Sequence, residues 1–354
     1  MRIAIVTITN GENYGNRLQN YAVQQQLEKG NIHIETLRNK SGQSFSLIRS
    51  VKKLLKNTIF YFKYKNEINR KKCFHEFNNN YIVFSKYEVS NSKIPKKIDE
   101  KFDLFICGSD QIWNPNYEEN AEVNFLQFTS RNKKVSFAAS FGANNIPEHR
   151  KHSMSTWLDD FKYISVREDS GKNIVKQLTN RDDVEVLVDP TMLITAQEWD
   201  KLCKKPKQLK SKKFILNYFL GDISYHRKKQ IDIIAKENNC EIINLMDKRN
   251  VFYQTGPSEF LYLEKNAFLI CTDSFHSCVF AILYNTPFIV FEREDNTVSM
   301  NSRIDTLLRK FKLEDRRFKE CIDNEHLKCD YSIAHNLLKE ERKKADRFLN
   351  KILT

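Results

Sequence analysis

Long apolar segments are missing from this sequence of 354 residues. The longest uninterrupted apolar run, 278–284, has seven residues, whereas a membrane-spanning helix needs about 20. The first residues enter a strand-like pattern at once, without the apolar core of a signal peptide. The sequence therefore predicts a cytoplasmic protein that does not span a membrane.

Paired cysteine motifs are missing as well. The eight cysteines are scattered singly, and none belongs to a C-x-x-C pair. Several lie within apolar strand patterns, where a cysteine packs as a small hydrophobic residue. We therefore expect neither a disulfide framework nor a structural zinc site.

Four common catalytic signatures are absent. The chain contains no G-x-G-x-x-G, no G-x-x-x-x-G-K-[ST], no H-E-x-x-H and no D-x-D pattern. Their absence argues against a nicotinamide-dependent enzyme, a P-loop enzyme and a glycosyltransferase that holds a nucleotide sugar through a metal ion. We expect no cofactor and no metal ion.

Short apolar segments alternate with helical patterns along most of the chain. This alternation is typical of parallel sheets that are covered by helices on both faces. We predict strands at 2–7, 32–37, 104–107, 134–138, 163–166, 184–188, 214–220, 241–245, 267–271 and 287–291, and helices at 17–29, 170–177, 226–238, 258–264, 275–284 and 333–353.

The lysine-rich stretch 201–213 interrupts the alternation and is typical of an interdomain linker. We predict an α/β protein with two Rossmann-like domains facing a cleft. The predicted domains are 1–205 and 206–330, and the last helix, within 331–354, packs back on the first domain. Ligands of such sheets bind beyond the carboxyl ends of the strands, so residues directly after strands are the candidates for function.

The loop 10–19 follows the first strand and opens a helix. Its backbone amides and its side chains, among them Asn13, Tyr14 and Asn16, are suited to an anion or to sugar hydroxyls. Taken alone, the pattern is better explained by an ordinary strand-to-helix turn with Asn16 as its cap.

A second candidate site, 108–114, follows the strand 104–107. Ser109, Asp110 and Gln111 offer hydrogen bonds beside the indole of Trp113 and the amide of Asn114, a combination that suits a sugar. A helix capped by Asp110 with Trp113 in the core explains the same pattern equally well.

Two further candidates are basic residues that follow predicted strands, Arg167 after 163–166 and His276 after 267–271. The guanidinium of Arg167 can bind a carboxylate or a phosphate in a two-pronged manner, and a surface ion pair with Glu168 or Asp169 is the simpler alternative. His276 follows Asp273 at a strand-to-helix junction, where a helix N-terminus favours anions. A lone histidine in such a place is usually structural.

Together these residues resemble the polysaccharide pyruvyltransferase family. Each matching string is weak alone, but the set runs in the family's order over roughly residues 1–310. The strings are NYGNRLQ (13–19), GSDQIWN (108–114), SVRED (165–169), VDPT (188–191), TDSFHS (272–277) and NSRI (301–304).

The resemblance implies a glycosyltransferase-B-like fold, no metal, and phosphoenolpyruvate as the donor. The product is a pyruvate ketal on a sugar of a cell-envelope, capsular or extracellular polysaccharide. Family members surround the donor with basic residues, which correspond here to Arg167 and His276. Well-known members have Arg-Leu-His where this chain has Ser274, Phe275 and His276, so one guanidinium is missing, and Arg303 is our candidate replacement.

Roles follow from the chemistry that the resemblance implies. His276 is suited to bind phosphate and to move protons near neutral pH, while Arg167 and Arg303 would hold the donor's anionic groups beside Ser274 and Phe275. Asp110, Gln111 or Asp273 would act as the base on an acceptor hydroxyl, and the sequence does not separate the three. The predicted acceptor-binding residues are Asn13, Tyr14, Asn16, Ser109, Gln111, Trp113 and Asn114.

Two other functions compete with this interpretation. A nucleotide-sugar-dependent glycosyltransferase of the same fold would also have a basic cleft without D-x-D. A polyanion- or nucleic-acid-binding protein would explain the formal net charge of +13. The basic residues lack the regular aromatic platforms of single-strand binding, which argues against nucleic acid as a partner.

Most of the excess positive charge lies in a segment that we call the basic segment, 49–72. It contains nine lysines and arginines and one glutamate, for a net charge of +8, together with apolar residues that allow an amphipathic helix. Such helices contact anionic membranes or polyanions, and a solvated helix at the edge of the fold is the alternative. Peripheral contact with the inner face of the membrane would bring the enzyme to a lipid-linked sugar.

We therefore expect co-sedimentation with anionic but not with zwitterionic vesicles, because each basic residue near an anionic surface contributes about 1 kcal/mol. The binding should weaken with salt and disappear when Lys52, Lys53, Lys56 and Lys63 become Glu. Activity on a short soluble acceptor should survive these changes. Equal binding to both kinds of vesicle, or to neither, would identify the segment as a solvated helix.

Overall fold

The computed structural model describes residues 1–28, 30–39, 58–117, 119, 121–293 and 302–354, with the backbone alone at 58–63. The chain divides into two units that are each described separately. Unit 1 comprises Met1–Lys63, Asn78–Leu193 and Glu341–Thr354, and unit 2 comprises Tyr64–Phe77 and Ile194–Glu340.

Unit 1 is built on a sheet of seven parallel strands. The central strands are buried along their whole length, as a sheet with both faces covered requires. The strands are β1 (Arg2–Val6), β2 (His33–Asn39), β3 (Phe84–Val89), β4 (Leu104–Cys107), β5 (Lys134–Ala139), β6 (Tyr163–Val166) and β7 (Glu185–Val186).

The strand order of this sheet is β3-β2-β1-β4-β5-β6-β7, and every pairing is parallel. The sequence order therefore reverses between β1 and β4, where Val6 pairs with Cys107. Thr7 and Gly108 consequently leave the sheet side by side. In open α/β sheets, ligands bind outside the carboxyl ends of the strands at such a reversal.

Helices cover both faces of this sheet, and an aromatic cluster fills the core between β4 and β6. Its centre is Trp113, which contacts Phe125, Phe141 and Phe161 at ring-centroid distances of 5.2 to 5.4 Å. The helices of unit 1 are α1 (Tyr14–Leu27), α3 (Ala121–Asn124), α4 (Glu148–Asp159) and α5 (Asp169–Thr179). Helix α2 (Thr58–Tyr81) has only its two ends in unit 1, and its residues Tyr64–Phe77 belong to unit 2.

Unit 2 has a smaller parallel sheet of four strands. They are β8 (Phe214–Tyr218), β9 (Glu241–Asn244), β10 (Leu269–Thr272) and β11 (Phe288–Val290), in the order β11-β10-β8-β9. Its helices are α6 (Ala196–Asp200), α7 (Tyr225–Glu237), α8 (Pro257–Asn266), α9 (Phe275–Tyr284), α10 (Ser302–Phe311) and α11 (Ser332–Leu353). Helix α9 is apolar almost all round, and it is buried from Phe275 to Leu283.

The predicted α/β class with parallel sheets is confirmed, whereas β3, α3 and α4 of unit 1 and α6 and α10 of unit 2 were not predicted. Among the described residues, strand β3 lies at the edge of the sheet and pairs with β2 alone. It is therefore half-buried and polar, and it lacks a continuous apolar run. Helix α4 buries only Met154 and Leu158, so its apolar stripe is too thin to be recognised.

The lysine-rich stretch 201–213 packs on unit 2. The backbone N–H of Lys204 donates to the Ser258 carbonyl at 3.0 Å, and Leu202 and Leu209 are buried. The intervening lysines account for its polar appearance. The chain passes from unit 1 to unit 2 after Leu193, before the predicted boundary at residue 205.

The last part of α11 belongs to unit 1. The ring of Phe348 stacks on Phe137 with 6.2 Å between centroids. Arg342 and Lys344 donate to main-chain carbonyls of residues 192 and 186, at 2.8 and 2.7 Å. The C-terminal helix thus adds an apolar and a polar contact to the first sheet.

The basic segment is described only in part. Arg49, Lys52, Lys53 and Lys56 lie outside the described residues, and so does the side chain of Lys63. No helix in the described part of the chain has both the length and the apolar character that a membrane crossing requires.

Arg70, near the end of the basic segment, is buried within unit 2. Its guanidinium donates to the Tyr253 carbonyl at 3.0 Å and lies 4.9 and 5.0 Å from the ring centroids of Tyr253 and Phe74. This charge is therefore used inside the fold and is not offered to a membrane.

Replacing Arg70 with Met should lower the free energy of unfolding by about 1–3 kcal/mol, because a charged hydrogen bond and two cation–π contacts are lost. Urea denaturation measures the change. Lys71→Met is the matched control, since Lys71 is exposed and its loss should change stability by less than about 0.5 kcal/mol. Equal effects of the two substitutions would contradict the packed role of Arg70.

Candidate functional site

A polar network lies at the carboxyl edge of the unit 1 sheet. It is formed by the residues that directly follow the strands, because parallel strands all end at the same edge. The side chains that take part are Thr7 after β1, Ser109 and Asp110 after β4, Ser140 after β5, Arg167 and Glu168 after β6, and Asp189 after β7.

Arg167 is the buried centre of this network. Its Nη1 donates to Asp189 Oδ2 at 2.5 Å, and its Nη2 lies 3.5 Å from Asp110 Oδ1. Burial acts to lower the pKa of Arg167, but the carboxylates of Asp189, Asp110 and Glu168 outweigh it and hold that pKa above its usual value. The guanidinium is therefore charged and is held by acids of its own sheet.

Asp189 joins the ends of β4, β6 and β7. Besides Arg167, its carboxylate accepts from the Ser109 hydroxyl at 3.2 Å and from the hydroxyl and the N–H of Thr191 at 2.7 and 3.0 Å. Sequence reasoning assigned no role to Asp189. The signal that was available is the string VDPT (188–191), which places an acid directly after an apolar segment.

Glu168 holds the loop that follows β5. Its Oε1 accepts from the Ser140 hydroxyl at 2.8 Å and from the N–H groups of Phe141 and Gly142 at 2.9 and 3.3 Å. Gly142 has a φ of +60°, and a Cβ there would lie 2.0 Å from Nε2 of Gln111. The backbone of this loop therefore packs directly against the Gln111 side chain.

The loop after β1 is fixed from inside by Arg17. This buried guanidinium donates to the carbonyls of Thr9 and Gly11, each at 2.6 Å. Burial, opposed by the charge of Glu12, lowers the pKa of Arg17 to about 10. Gln19 connects the same region to β4, because its amide donates to Thr7 at 2.9 Å and accepts from the Ser109 N–H at 3.0 Å.

Several predicted acceptor residues have structural contacts that change their assignment. The cap of α1 is Asn13, which accepts from the Asn16 N–H at 3.1 Å, so the expectation of Asn16 as the cap is corrected. Trp113 is fully buried and stacks on Phe125, and its indole N–H donates to the Asn124 carbonyl, so it offers no face to a sugar.

The other predicted residues of unit 1 lie close to the network. Tyr14 and Ser109 are completely buried, while Gln111 and Asn114 each keep 8% of their surface exposed. Asn114 Oδ1 accepts from the Asn116 N–H at 3.0 Å. Asp110 has a positive φ of 75°, and its Oδ1 accepts from the Gln111 N–H at 2.8 Å. Among the described residues, nothing donates a hydrogen bond to its other oxygen, Oδ2.

A second polar cluster lies at the carboxyl edge of the unit 2 sheet. Asp273, directly after β10, accepts from the N–H groups of Leu220 and Gly221 at 2.7 and 2.9 Å. Arg293, three residues beyond β11, donates from Nε to Asp273 Oδ2 at 3.1 Å. Both oxygens of Asp273 are thus occupied, which makes it a poor general base.

His276 lies in the first turn of α9, after Ser274 and Phe275. Its ring packs edge-on against Phe275 with 5.3 Å between centroids. Arg303, which begins α10 and is only 8% exposed, places its guanidinium 5.7 Å from the centroid of the same phenyl ring. The structure therefore brings Arg303 and His276 next to the same side chain, that of Phe275.

A buried carboxyl supports the start of α9. Glu264 in α8 accepts from the Ser277 hydroxyl at 2.6 Å. Burial raises the pKa of Glu264 well above its usual range, although the hydrogen bond from Ser277 acts in the opposite direction. Within the described part of the chain, no cluster of His, Cys, Asp and Glu has an arrangement that could hold a metal ion.

Comparison with known families decides the class of protein. A sequence model of the polysaccharide pyruvyl transferase family matches residues 13–296. This chain belongs to the polysaccharide pyruvyl transferase family. No curated protein matches it significantly.

Solved structures of UDP-GlcNAc 2-epimerases are similar in fold. The enzyme from Neisseria meningitidis bound to UDP-GlcNAc has a TM-score of 0.50 and 12% identity, over 100% of this chain and 99% of that chain. Those from Methanocaldococcus jannaschii (TM-score 0.44, 14% identity, 96% and 99% covered) and Rickettsia bellii (0.45, 14%, 99% and 98%) are also similar. At 12% identity the Neisseria likeness shows the fold alone, which is glycosyltransferase-B-like, as expected.

The two polar clusters of this pyruvyl transferase family member differ in how their guanidinium groups are held. In unit 1 the guanidinium of Arg167 faces Asp110, Asp189 and Glu168. Among the described residues of unit 2, Arg293 pairs with the carboxylate of Asp273, and Arg303 lies beside the ring of Phe275.

Asp189→Asn should lower the free energy of unfolding by about 3–5 kcal/mol, because it leaves the buried Arg167 without its nearest counter-charge. Asp183→Asn is the matched control, since Asp183 pairs with Arg181 while half-exposed, and such pairs contribute about 0–1 kcal/mol. Urea denaturation compares the two. If Asp189→Asn costs no more than the control, Asp189 does not anchor this network.

Proposed function

We propose that this protein forms a pyruvate ketal on a sugar, with phosphoenolpyruvate as its donor. The observation that carries the proposal is the family match over 13–296, which contains the His276 region. The guanidinium groups of Arg293 and Arg303 in unit 2 support it, because this donor carries both a carboxylate and a phosphate.

We place the donor on unit 2. Arg303 supplies charge beside Phe275, and the N-terminus of α9 at Ser274 offers backbone N–H groups to an anion. His276, in the same first turn, is the group that exchanges a proton with the donor.

The reaction that these groups would serve has two additions at one carbon. A proton joins the methylene carbon of phosphoenolpyruvate, and the oxygen of one sugar hydroxyl bonds to the neighbouring carbon. The oxygen of a second hydroxyl then bonds to that same carbon, and the bond to the phosphate oxygen breaks. One hydroxyl proton balances the new methyl group, and the other leaves with phosphate.

We place the acceptor on unit 1, next to Asp110. Its Oδ1 is held by Arg167 and by the Gln111 N–H, while its Oδ2 accepts no hydrogen bond among the described residues. Asp110 therefore suits the role of general base better than Asp273, both of whose oxygens are occupied. In this proposal Arg167 orients Asp110. Asn13, Asn16, Gln111 and Asn114 supply amides for sugar hydroxyls.

The acceptor would be a sugar of a surface polysaccharide, assembled on a lipid carrier. The positive charge of the basic segment favours peripheral contact with an anionic membrane, where such an acceptor is found. This part of the proposal depends on the vesicle measurement described above.

Incubation of the full-length protein with phosphoenolpyruvate and a pyranoside acceptor tests the function directly. We expect release of inorganic phosphate that depends on the acceptor, and a ketal methyl signal in the NMR spectrum of the product. A parallel incubation with UDP-sugars tests the alternative glycosyltransferase. Release of UDP without any phosphate from phosphoenolpyruvate would overturn the proposal in favour of that alternative.

His276→Ala should lower kcat by more than about 100-fold, because general acid–base groups contribute about 10²–10⁴-fold in rate. The thermal midpoint is measured alongside, because the side chain is buried at the start of α9. His226→Ala is the matched control, because His226 is exposed in the same unit. A His276→Ala enzyme that keeps more than about a tenth of kcat would remove His276 from the mechanism.

A further inference from the structure

Arg293 stands out among the arginines of unit 2 because most of its hydrogen-bonding capacity is unused. A guanidinium carries five N–H donors. Within the described residues, Arg293 makes one hydrogen bond, from Nε to Asp273 Oδ2 at 3.1 Å. Its side chain is nevertheless only 15% exposed, so water reaches little of it.

The carboxylate that holds this guanidinium is itself held in place. Asp273, which holds its Nε, is 3% exposed and also accepts from the N–H groups of Leu220 and Gly221. Three donors thus fix one carboxylate between the ends of β8 and β10. An arginine that is fixed by Nε keeps its two terminal amino groups for another partner, and this geometry matches a carboxylate or a phosphate in a two-pronged manner.

Asp273 also places Arg293 at the start of α9. It directly precedes Ser274 and Phe275, and His276 follows in the first turn of that helix. Position 274, where a guanidinium was expected from the resemblance, holds a serine. A guanidinium anchored on the adjacent Asp273 restores a positive charge at this junction from a different strand.

We propose that Arg293 is a donor-binding residue that grips an anionic group of phosphoenolpyruvate with its terminal amino groups, while Asp273 orients it. This inference rests on the proposed function and assigns part of its donor site. Arg303 is the other cation of the site. Two guanidiniums match the two anionic groups of the donor, and His276 is left for the proton transfer.

Calorimetric titration of phosphoenolpyruvate into the full-length protein tests this without an acceptor. Arg293→Met should weaken donor binding about 10- to 100-fold, as expected for lost hydrogen bonds between charged groups. The affinity of Arg293→Lys for phosphoenolpyruvate should lie between those of the wild type and of Arg293→Met. Lysine keeps the positive charge but loses the two-pronged hydrogen bonding of a guanidinium. Arg249→Met is the matched control, since Arg249 is 92% exposed in the same unit.

Steady-state kinetics separates binding from a merely structural role. Arg293→Met should raise the KM for phosphoenolpyruvate, while the KM for the sugar acceptor and the thermal midpoint stay at their wild-type values. A wild type that binds phosphoenolpyruvate together with an Arg293→Met variant that binds it equally well would overturn this inference alone. A wild type that neither binds the donor nor releases phosphate from it would overturn the proposed function itself.

Discussion

A buried positive charge organises the first unit. The guanidinium of Arg167 stands at the end of β6 without access to water, and an unpaired charge there would cost several kcal/mol. Asp189 from the end of β7 and Asp110 from the end of β4 must therefore approach it. Because Asp189 also holds Ser109, the ion pair joins three strand ends into one rigid edge. Ser109, Asp110 and Thr191 are all held by this pair.

The same pairing decides what the edge can bind. The guanidinium of Arg167 is already paired with acids of the sheet, and that of Arg17 is bound to main-chain carbonyls. These two groups therefore offer little positive charge to a phosphorylated donor. Unit 2 is built in the opposite way, because Asp273 is fixed by main-chain N–H groups and carries Arg293 on one oxygen. The two edges therefore differ in that several acids surround the guanidinium of Arg167, whereas, among the described residues, Arg293 pairs with one carboxylate.

How well each helix or strand could be predicted from the sequence depends on how much of its surface is buried. Strand β4 is covered on both faces and is a continuous apolar run, and strands β5 and β6 are mostly apolar, so all three are easily recognised. Strand β3 at the sheet edge and helix α4 on the surface bury few side chains, and so their patterns were missed. Trp113 shows why site residues are harder to predict than strands. An aromatic residue after a strand has the same local sequence pattern whether its ring faces a ligand or the core.

The sequence by itself determined the parallel α/β class, the positions at which strands end, and the family, because these depend on local periodicity and on short ordered strings. Only the tertiary structure decided the partners of the charges. Arg167 meets Asp189 across 22 residues of sequence, and Arg293 meets Asp273 across 20. Those distances along the chain are bridged by helices and by the order of the strands. The partner of a charged residue therefore depends on which strand ends lie side by side, and a local sequence pattern does not reveal it.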